Sequence, residues 1–318
     1  MTDAALLEVR GLRTSFGSIP AVQDVSFILR EKEVLGLIGE SGSGKTVTGL
    51  SVLGVLPAHA RVEAERLHFR GHDLLTLTSG EFRELRGVEV AMIFQDPVAS
   101  FNPAKSVGWH LRQALGRRCG ATTDWRKEAE ALLSDVAIRG PERVLASYPH
   151  QLSGGMLQRV LIAMVIAMKP QLIIADEPTT NLDNLVERQI LGLIHLHRRR
   201  LGASVLFITH DLTIAREICD RIAVMYAGEI VEIGPTEQVM MHPRHPYSAG
   251  LRATAESLAA GDEYLCELPG DLTGIGTAKG CSFAMRCPHV MPQCRVEHPV
   301  LAPLTADHEI RCWLNATN

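Results

Sequence analysis

One stretch of the chain has the residue types and spacing needed to hold a polyphosphate. Its residues fit the pattern G-x-x-x-x-G-K-[ST] and are Gly39, Glu40, Ser41, Gly42, Ser43, Gly44, Lys45 and Thr46. Glycines let backbone N–H groups close around a phosphate, and the helix N-terminus beyond them adds partial positive charge. Lys45 would reach the β- and γ-phosphates, and the Thr46 hydroxyl would coordinate Mg²⁺. A Gly-rich turn that only caps a helix is disfavoured, because the motif follows an apolar run and opens a helical pattern.

A pair of carboxylates ends another apolar run. Leu172–Ala175 precedes Asp176 and Glu177, and ligands bind beyond the carboxyl ends of strands in parallel α/β sheets. We expect Asp176 to hold Mg²⁺ and Glu177 to polarise an attacking water. Paired acids after a strand are also common helix caps. The catalytic interpretation therefore depends on the phosphate motif about 130 residues upstream.

Several other polar residues stand beside predicted elements, and each has a plain structural alternative. His210 ends the buried run Val205–Thr209, where a histidine is more often structural than catalytic. Ser153, Gly154 and Gly155 precede a long helix, which they could cap or equip with an anion site. Gln95 and Phe16 would by default have turn or core roles. Spacing alone does not decide between these uses.

The elements that would position these residues alternate along the chain. Apolar runs predict strands at Leu6–Val9, Val22–Leu29 and Val34–Ile38, and 62–75 could form a strand pair with a turn at Gly71. Helical periodicity dominates residues 97–170, and strands then alternate with helices until a hairpin signal at Ala227–Gly228. This pattern predicts an α/β fold with a mostly parallel core sheet, an antiparallel β subdomain and an inserted helical subdomain.

Composition excludes several classes of protein. The 318 residues carry a formal net charge of −4, so the chain as a whole lacks the basic character of a nucleic-acid-binding protein. No run approaches the ~18–20 apolar residues of a membrane span, and the first residues lack the plan of a signal peptide. We expect a chain that stays in the cytosol, where its seven cysteines would be thiols or ligands and not disulfides.

Four of the cysteines are grouped near the C-terminus, in a segment rich in Pro and Gly. Their spacing is Cys281-x5-Cys287-x6-Cys294-x17-Cys312. Four thiolates suit a [4Fe–4S] cluster or Zn²⁺, and free buried thiols are the remaining possibility. Cys119 and Cys219 lie on predicted helices and are expected in the core, and Cys266 is unassigned.

Together, the ordered motifs over about residues 6–240 resemble the ATP-binding subunit of ABC transporters, which has a P-loop NTPase-type fold. The resemblance implies an ATPase domain over 1–240, with a helical subdomain at about 97–170. It implies that Phe16 stacks on adenine, that 39–46 binds the triphosphate with Mg²⁺, and that Gln95 contacts Mg²⁺ or the lytic water. Glu177 would be the general base and His210 the γ-phosphate sensor. The residues implied to cover the ATP of the opposite subunit, or to link the two sites, are Ser153, Gly154, Gly155, Gln158 and Asp183.

The C-terminal part of the chain narrows the resemblance to one group within that family. The segment His242–Leu251 is similar to the His-Pro-Tyr segment of oligopeptide and dipeptide uptake ATPases, so 241–318 is expected to be their C-terminal extension. The C-terminal segments of the peptide-importer ATPases that this one resembles hold an iron–sulfur cluster. The resemblance therefore favours a [4Fe–4S] cluster at the four cysteines.

The resemblance also implies partners and a location. The partners are a second ATPase subunit (a paralogue or another copy), two permeases and an extracytoplasmic solute-binding protein, with no nucleic acid, and the location is the cytoplasmic face of the inner membrane. A nickel or other small-solute importer shares the same segment, while an exporter or a soluble ABC protein fits less well. The transported substrate is not readable from the chain.

Overall fold

A computed structural model describes residues 5–119, 124–179, 184–260 and 279–315. The chain forms two compact units. The first unit comprises the chain up to Thr76 together with everything from Phe207 onward, and the second comprises Leu77–Leu206.

The first unit begins with an antiparallel sheet. Strands β1 (Ala5–Phe16) and β2 (Ile19–Arg30) form a hairpin, and the other edge of β1 pairs with β4 (Ala60–Glu63) and β5 (Arg66–Phe69). Buried and exposed residues alternate along much of both long strands, as expected where one face of a sheet covers a core. β6 (His72–Asp73) pairs with β5 across Gly71, so the strand pair expected within 62–75 is present.

The same unit contains a group of fully or nearly fully buried strands. β3 (Val34–Ile38) runs parallel to β10 (Arg221–Tyr226), which turns back into β11 (Glu229–Pro235). Ala227 and Gly228 both have positive φ, the conformation that a tight hairpin turn needs, which confirms the predicted hairpin. Two C-terminal strands extend this sheet, since β13 (His308–Ile310) pairs with β11 and with β12 (Ala302–Thr305).

Among the described residues, four α-helices complete the first unit. They are α1 (Lys45–Leu53), α8 (Leu212–Ile218), α9 (Thr236–Met241) and α10 (Pro246–Ala260). Asp211 caps α8 by accepting from the N–H groups of Thr213 and Ile214. Strand β9 (Ser204–Thr209) carries the chain from the second unit into the first.

The second unit places helices around two buried parallel strands, β7 (Val90–Ile93) and β8 (Leu172–Asp176). Its helices are α2 (Ser79–Leu85), α3 (Val107–Cys119), α4 (Trp125–Asp135), α5 (Pro141–Ala146), α6 (Gly154–Met168) and α7 (Asn184–Leu201). Helix α3 packs on α4, α5 and α6. The helical periodicity within 97–170 therefore corresponds to real helices, while the extent of a helical subdomain stays a prediction.

Within the described residues, no helix combines the length and the apolar character needed to cross a membrane.

Candidate functional site

The phosphate motif forms the predicted strand–turn–helix. Strand β3 is buried along its whole length, the loop 39–44 follows, and α1 begins at Lys45. Gly44 caps the helix at φ +102°, and a Cβ on it would lie 2.5 Å from the Ala21 carbonyl oxygen. A Cβ on Gly39 would lie only 2.1 Å from the carbonyl oxygen of Met225. Both positions therefore require glycine for steric reasons, independently of any ligand.

Lys45 is buried beneath this loop, with its ammonium group turned onto the loop itself. Its Nζ donates to the carbonyl oxygens of Gly39 and Glu40, each at 2.8 Å. The loop is also fixed from the β10–β11 turn, where the Gly228 N–H donates to the Ser43 carbonyl oxygen at 2.9 Å. Ser41, Gly42 and Thr46 are exposed at the open side of the loop. The arrangement supplies a cation and helix N–H groups at one place, which is what a phosphate chain needs.

The other two candidates in the first unit are Phe16 and His210. Phe16 is the last residue of β1 and is half-buried, with its ring centroid 5.9 Å from that of His59. His59 is a neighbour that the sequence pattern did not single out. His210 is exposed at the end of β9, directly before the cap of α8.

In the second unit, two candidate side chains meet at the ends of neighbouring strands. Ile93 of β7 pairs with Ala175 of β8, so Gln95 and Glu177 leave the sheet side by side. Gln95 Nε2 donates to Glu177 Oε2 at 3.0 Å. Asp176 is buried at the end of β8, whereas Glu177 is half-buried. Glu177 adopts φ +44°, a left-handed conformation that non-glycine residues rarely adopt and that often marks functional sites.

The Ser-Gly-Gly segment begins helix α6. Ser153 Oγ accepts from the Met156 N–H at 3.3 Å, so the serine caps the helix, while Ser153 and Gly154 remain exposed. Gln158 lies one turn further along and is buried, and its Nε2 donates to the Pro178 carbonyl oxygen at 2.9 Å. Gln158 thus joins α6 to the segment after β8. Asp183 lies outside the described residues.

The four grouped cysteines lie in the C-terminal part of the first unit. The Cys281 N–H donates to the carbonyl oxygen of Cys294 at 2.8 Å. Burial raises the pKa of Cys281 to about 11, and it also raises the pKa values of Cys287 and Cys312. The neighbouring thiols of Cys287, Cys294 and Cys312 raise the pKa of Cys281 further.

This arrangement does not support the predicted metal site. Among the described residues, no group of three or more Cys, His, Asp or Glu side chains could hold a metal ion. Around a single Zn²⁺ the sulfurs would have to lie about 2.3 Å from one point, and the thiols do not converge in that way. Cys219 is buried at the end of α8, as expected for a core cysteine; Cys266 and the Cys119 side chain lie outside what the structure describes.

One feature of the site was absent from the sequence-based predictions. The Glu40 carboxylate in the phosphate loop accepts from both terminal nitrogens of Arg286, and the Glu40 N–H donates to the Tyr247 hydroxyl. Tyr247 belongs to the His-Pro-Tyr segment, which was a sequence signal for this region. Nothing in the sequence near Arg286 indicated that it would meet the loop.

Comparison with known proteins places this geometry in a family. The model of the ABC transporter family matches residues 22–180, and the model of the oligopeptide/dipeptide transporter C-terminal region matches 231–294. The chain belongs to the ABC transporter family.

Two relatives are similar to this chain over nearly their whole length. The dipeptide transport ATP-binding protein of Escherichia coli is 42% identical over 314 residues, which cover 97% of this chain and 96% of the relative. The oligopeptide transport ATP-binding protein of Haemophilus influenzae is 38% identical, with 98% of each chain covered. The family resemblance predicted from the ordered motifs is thereby confirmed.

Solved structures support the fold. An ATP-binding subunit of an ABC transporter has a TM-score of 0.63 at 25% identity and covers 80% of this chain and 98% of its own. A dimeric ATP-binding cassette bound to ADP and Pi after hydrolysis has a TM-score of 0.62 at 26% identity, covering 72% of this chain and 98% of its own. The chain therefore has the ABC ATPase fold.

Proposed function

We propose that this chain is the ATP-hydrolysing subunit of an importer for dipeptides or oligopeptides. The observation that carries the proposal is the near-complete coverage by dipeptide and oligopeptide transport ATP-binding proteins, which includes the C-terminal region. A nickel or other small-solute importer would use the same ATPase chemistry and is the second candidate, on the basis of the shared His-Pro-Tyr segment alone.

The residues of the first unit are suited to binding ATP. Lys45 would exchange the loop carbonyls it now contacts for the β- and γ-phosphates, and the N–H groups at the start of α1 would bind the phosphate oxygens. Phe16 would stack on adenine. His210, at the open end of β9, would contact the γ-phosphate.

Each unit has side-chain oxygen atoms of the kind that Mg²⁺ prefers as ligands. The first unit has the hydroxyl of Thr46, and the second unit has the carboxylate of Asp176 and the side-chain oxygen of Gln95. Mg²⁺ bound with ATP neutralises charge on the phosphates. The amide nitrogen of Gln95 donates to Glu177, which leaves its oxygen available to a cation or a water.

Glu177 is the proposed general base. The hydrogen bond from Gln95 orients its carboxylate, so that it could accept a proton from an attacking water. Ser153, Gly154, Gly155 and Gln158 would complete the site of a partner ATPase subunit, and Asp183 would link the two sites. The γ-phosphate charge would then be fully stabilised only when two subunits close on the nucleotide.

Replacing Glu177 with Gln tests the base. We expect Glu177→Gln to retain ATP binding and to lose turnover by about 10²-fold or more, because a general base contributes on that order, and to accumulate an ATP-bound dimer. Glu142→Gln, at the start of α5 in the same unit, is the matched control and should keep its turnover. Near-normal turnover of Glu177→Gln would exclude Glu177 as the base.

The proposed assembly contains a second ATPase subunit, two permeases and an extracytoplasmic solute-binding protein, with this chain at the cytoplasmic face of the membrane. Anaerobic pull-down of the tagged chain from native membranes, followed by mass spectrometry, tests it. Recovery of two permeases and a binding protein would support the importer, and the ligand on that binding protein would identify the substrate. Recovery with ribosomes or nucleic acid, and without a membrane protein, would exclude it.

A [4Fe–4S] cluster at Cys281, Cys287, Cys294 and Cys312 stays a separate prediction. The spacing of the four cysteines in the sequence is what suggests it, and among the described residues no group of three or more Cys, His, Asp or Glu side chains could hold a metal ion. A cluster spreads its thiolates over the corners of a cube, so its ligands need not converge on one point. About four irons per anaerobically purified chain would support the cluster, while a chain without iron would exclude it.

A further inference from the structure

The second residue of the phosphate loop is anchored to the C-terminal region through both its backbone and its side chain. Arg286 Nη1 and Nη2 donate to the two carboxylate oxygens of Glu40 at 2.8 and 2.9 Å. The Glu40 N–H donates to the Tyr247 hydroxyl at 2.9 Å. A bidentate arginine–carboxylate pair fixes orientation as well as distance. Residues distant in the chain therefore restrain the loop at this point.

The anchoring residues are themselves rigidly held. Arg286 is buried, and its guanidinium lies 5.6 Å from the centroid of the Tyr226 ring. The rings of Tyr226, Tyr247 and Phe283 pack against one another with centroids 4.7 to 5.5 Å apart, and all three are almost fully buried. Tyr226 ends β10, directly before the turn that holds Ser43. The cluster of Tyr226, Tyr247 and Phe283 therefore connects Arg286, which contacts Glu40, with the β10–β11 turn, which contacts Ser43.

The charge of Glu40 is the reason that an anchor matters here. A carboxylate in a loop that binds a polyphosphate would repel the ligand unless it is neutralised. Arg286 neutralises it and, in the same contact, holds the side chain in place. The carbonyl oxygen of Glu40 accepts from Lys45, so the position of Glu40 also determines where the lysine ammonium lies.

We propose that the C-terminal region contributes two residues that act on the ATP site through Glu40: Arg286 neutralises its carboxylate, and Tyr247 holds its backbone in position. The affinity of this chain for ATP would then depend on a residue 246 positions after Glu40 in the chain. The inference rests on the ATP-binding part of the proposed function.

A charge-deletion cycle on the full-length chain tests the inference, with a fluorescent ATP analogue and Mg²⁺ as the probe. Arg286→Gln should weaken binding by roughly ten-fold, because it leaves an uncompensated carboxylate beside the phosphates. Arg286→Gln combined with Glu40→Gln should return the affinity to within about three-fold of the unmodified chain, because the repelling charge is gone. A purely structural role predicts the opposite, since the double variant makes still fewer contacts.

Two further variants complete the test. Arg311→Gln is the matched control: Arg311 is another buried arginine of the C-terminal region, and its Nη2 lies 2.8 Å from Asp24 Oδ2. It should lower stability and leave the affinity for the probe within about three-fold. Tyr247→Phe removes only the hydroxyl that accepts from Glu40, and should weaken binding about three-fold in a chain that still folds.

The outcomes separate the inference from the proposed function. Equal weakening in Arg286→Gln and Arg311→Gln, or no recovery in the double variant, would overturn the inference. If Arg286→Gln does not fold, unchanged affinity in Tyr247→Phe would overturn it. Failure of the unmodified chain to bind the probe would instead overturn the proposed function.

Discussion

Replacing Gly44 with alanine should both destabilise the first unit and abolish most ATP binding. Gly44 has φ +102°, and a new Cβ would lie 2.5 Å from the Ala21 carbonyl oxygen, about 0.9 Å inside an ordinary contact that begins near 3.4 Å. The positive φ costs about 1–2 kcal/mol for a residue with a Cβ, and relieving the overlap costs about 1–3 kcal/mol more. Because the backbone must shift by nearly 1 Å at the start of α1, we expect the affinity for ATP to fall by about 10²-fold.

The matched control is Gly71→Ala, in the turn between β5 and β6. Gly71 also has positive φ, at +81°, but a Cβ there meets nothing within 4 Å. Urea unfolding should therefore show about 1–2 kcal/mol of destabilisation for Gly71→Ala and clearly more for Gly44→Ala, and titration with an ATP analogue should show a loss only for Gly44→Ala. Equal unfolding free energies in the two variants, or an unchanged affinity in Gly44→Ala, would refute the steric reasoning.

Two further outcomes are expected. Burial lowers the pKa of His245 to about 4, and its Nδ1 accepts from the Tyr247 N–H. In the unfolded chain the same imidazole would be protonated near pH 6.5. About 3 kcal/mol of unfolding free energy should therefore be lost as the pH falls from 6.5 to 4. Urea unfolding across that range measures the loss, and His245→Gln should flatten the profile; an unchanged profile would contradict the assignment. Ser153→Ala and Thr78→Ala each remove a helix cap in the second unit and should each cost about 1 kcal/mol. Only Ser153→Ala should reduce ATPase activity in the assembled transporter, and equal activities would leave Ser153 as a cap alone.

The phosphate loop could be predicted from the sequence because its requirements are local. Gly39 and Gly44 occupy positions where a Cβ would collide with neighbouring backbone, and Lys45 begins the helix that the motif demands. The hairpin at Ala227 and Gly228 was predictable for the same reason, since the turn conformation determines which residues are tolerated.

The C-terminal region was less predictable because its contacts are distant in the chain. The spacing of its cysteines and the loss of periodicity suggested an appendage. Its strand β13, only three residues long, pairs with β11. A strand this short has too few residues to show an alternating pattern. The contact of Arg286 with Glu40 likewise has no local signature, because either residue alone is an ordinary surface type.

For Glu177, the sequence predicted the position of a carboxylate after a strand but not its backbone conformation. The sequence placed two carboxylates after a strand and left helix capping as the alternative. The structure gives Glu177 a left-handed backbone at φ +44° and places Pro178 directly after it, a residue that already restricts the conformations of its predecessor. Such a conformation costs of order 1–3 kcal/mol and persists only where surrounding contacts enforce it. Two such contacts are visible, the hydrogen bond from Gln95 to the Glu177 carboxylate and the bond from Gln158 to the Pro178 carbonyl oxygen. A simple cap would not need this strain, so the held orientation of Glu177 favours the role of base.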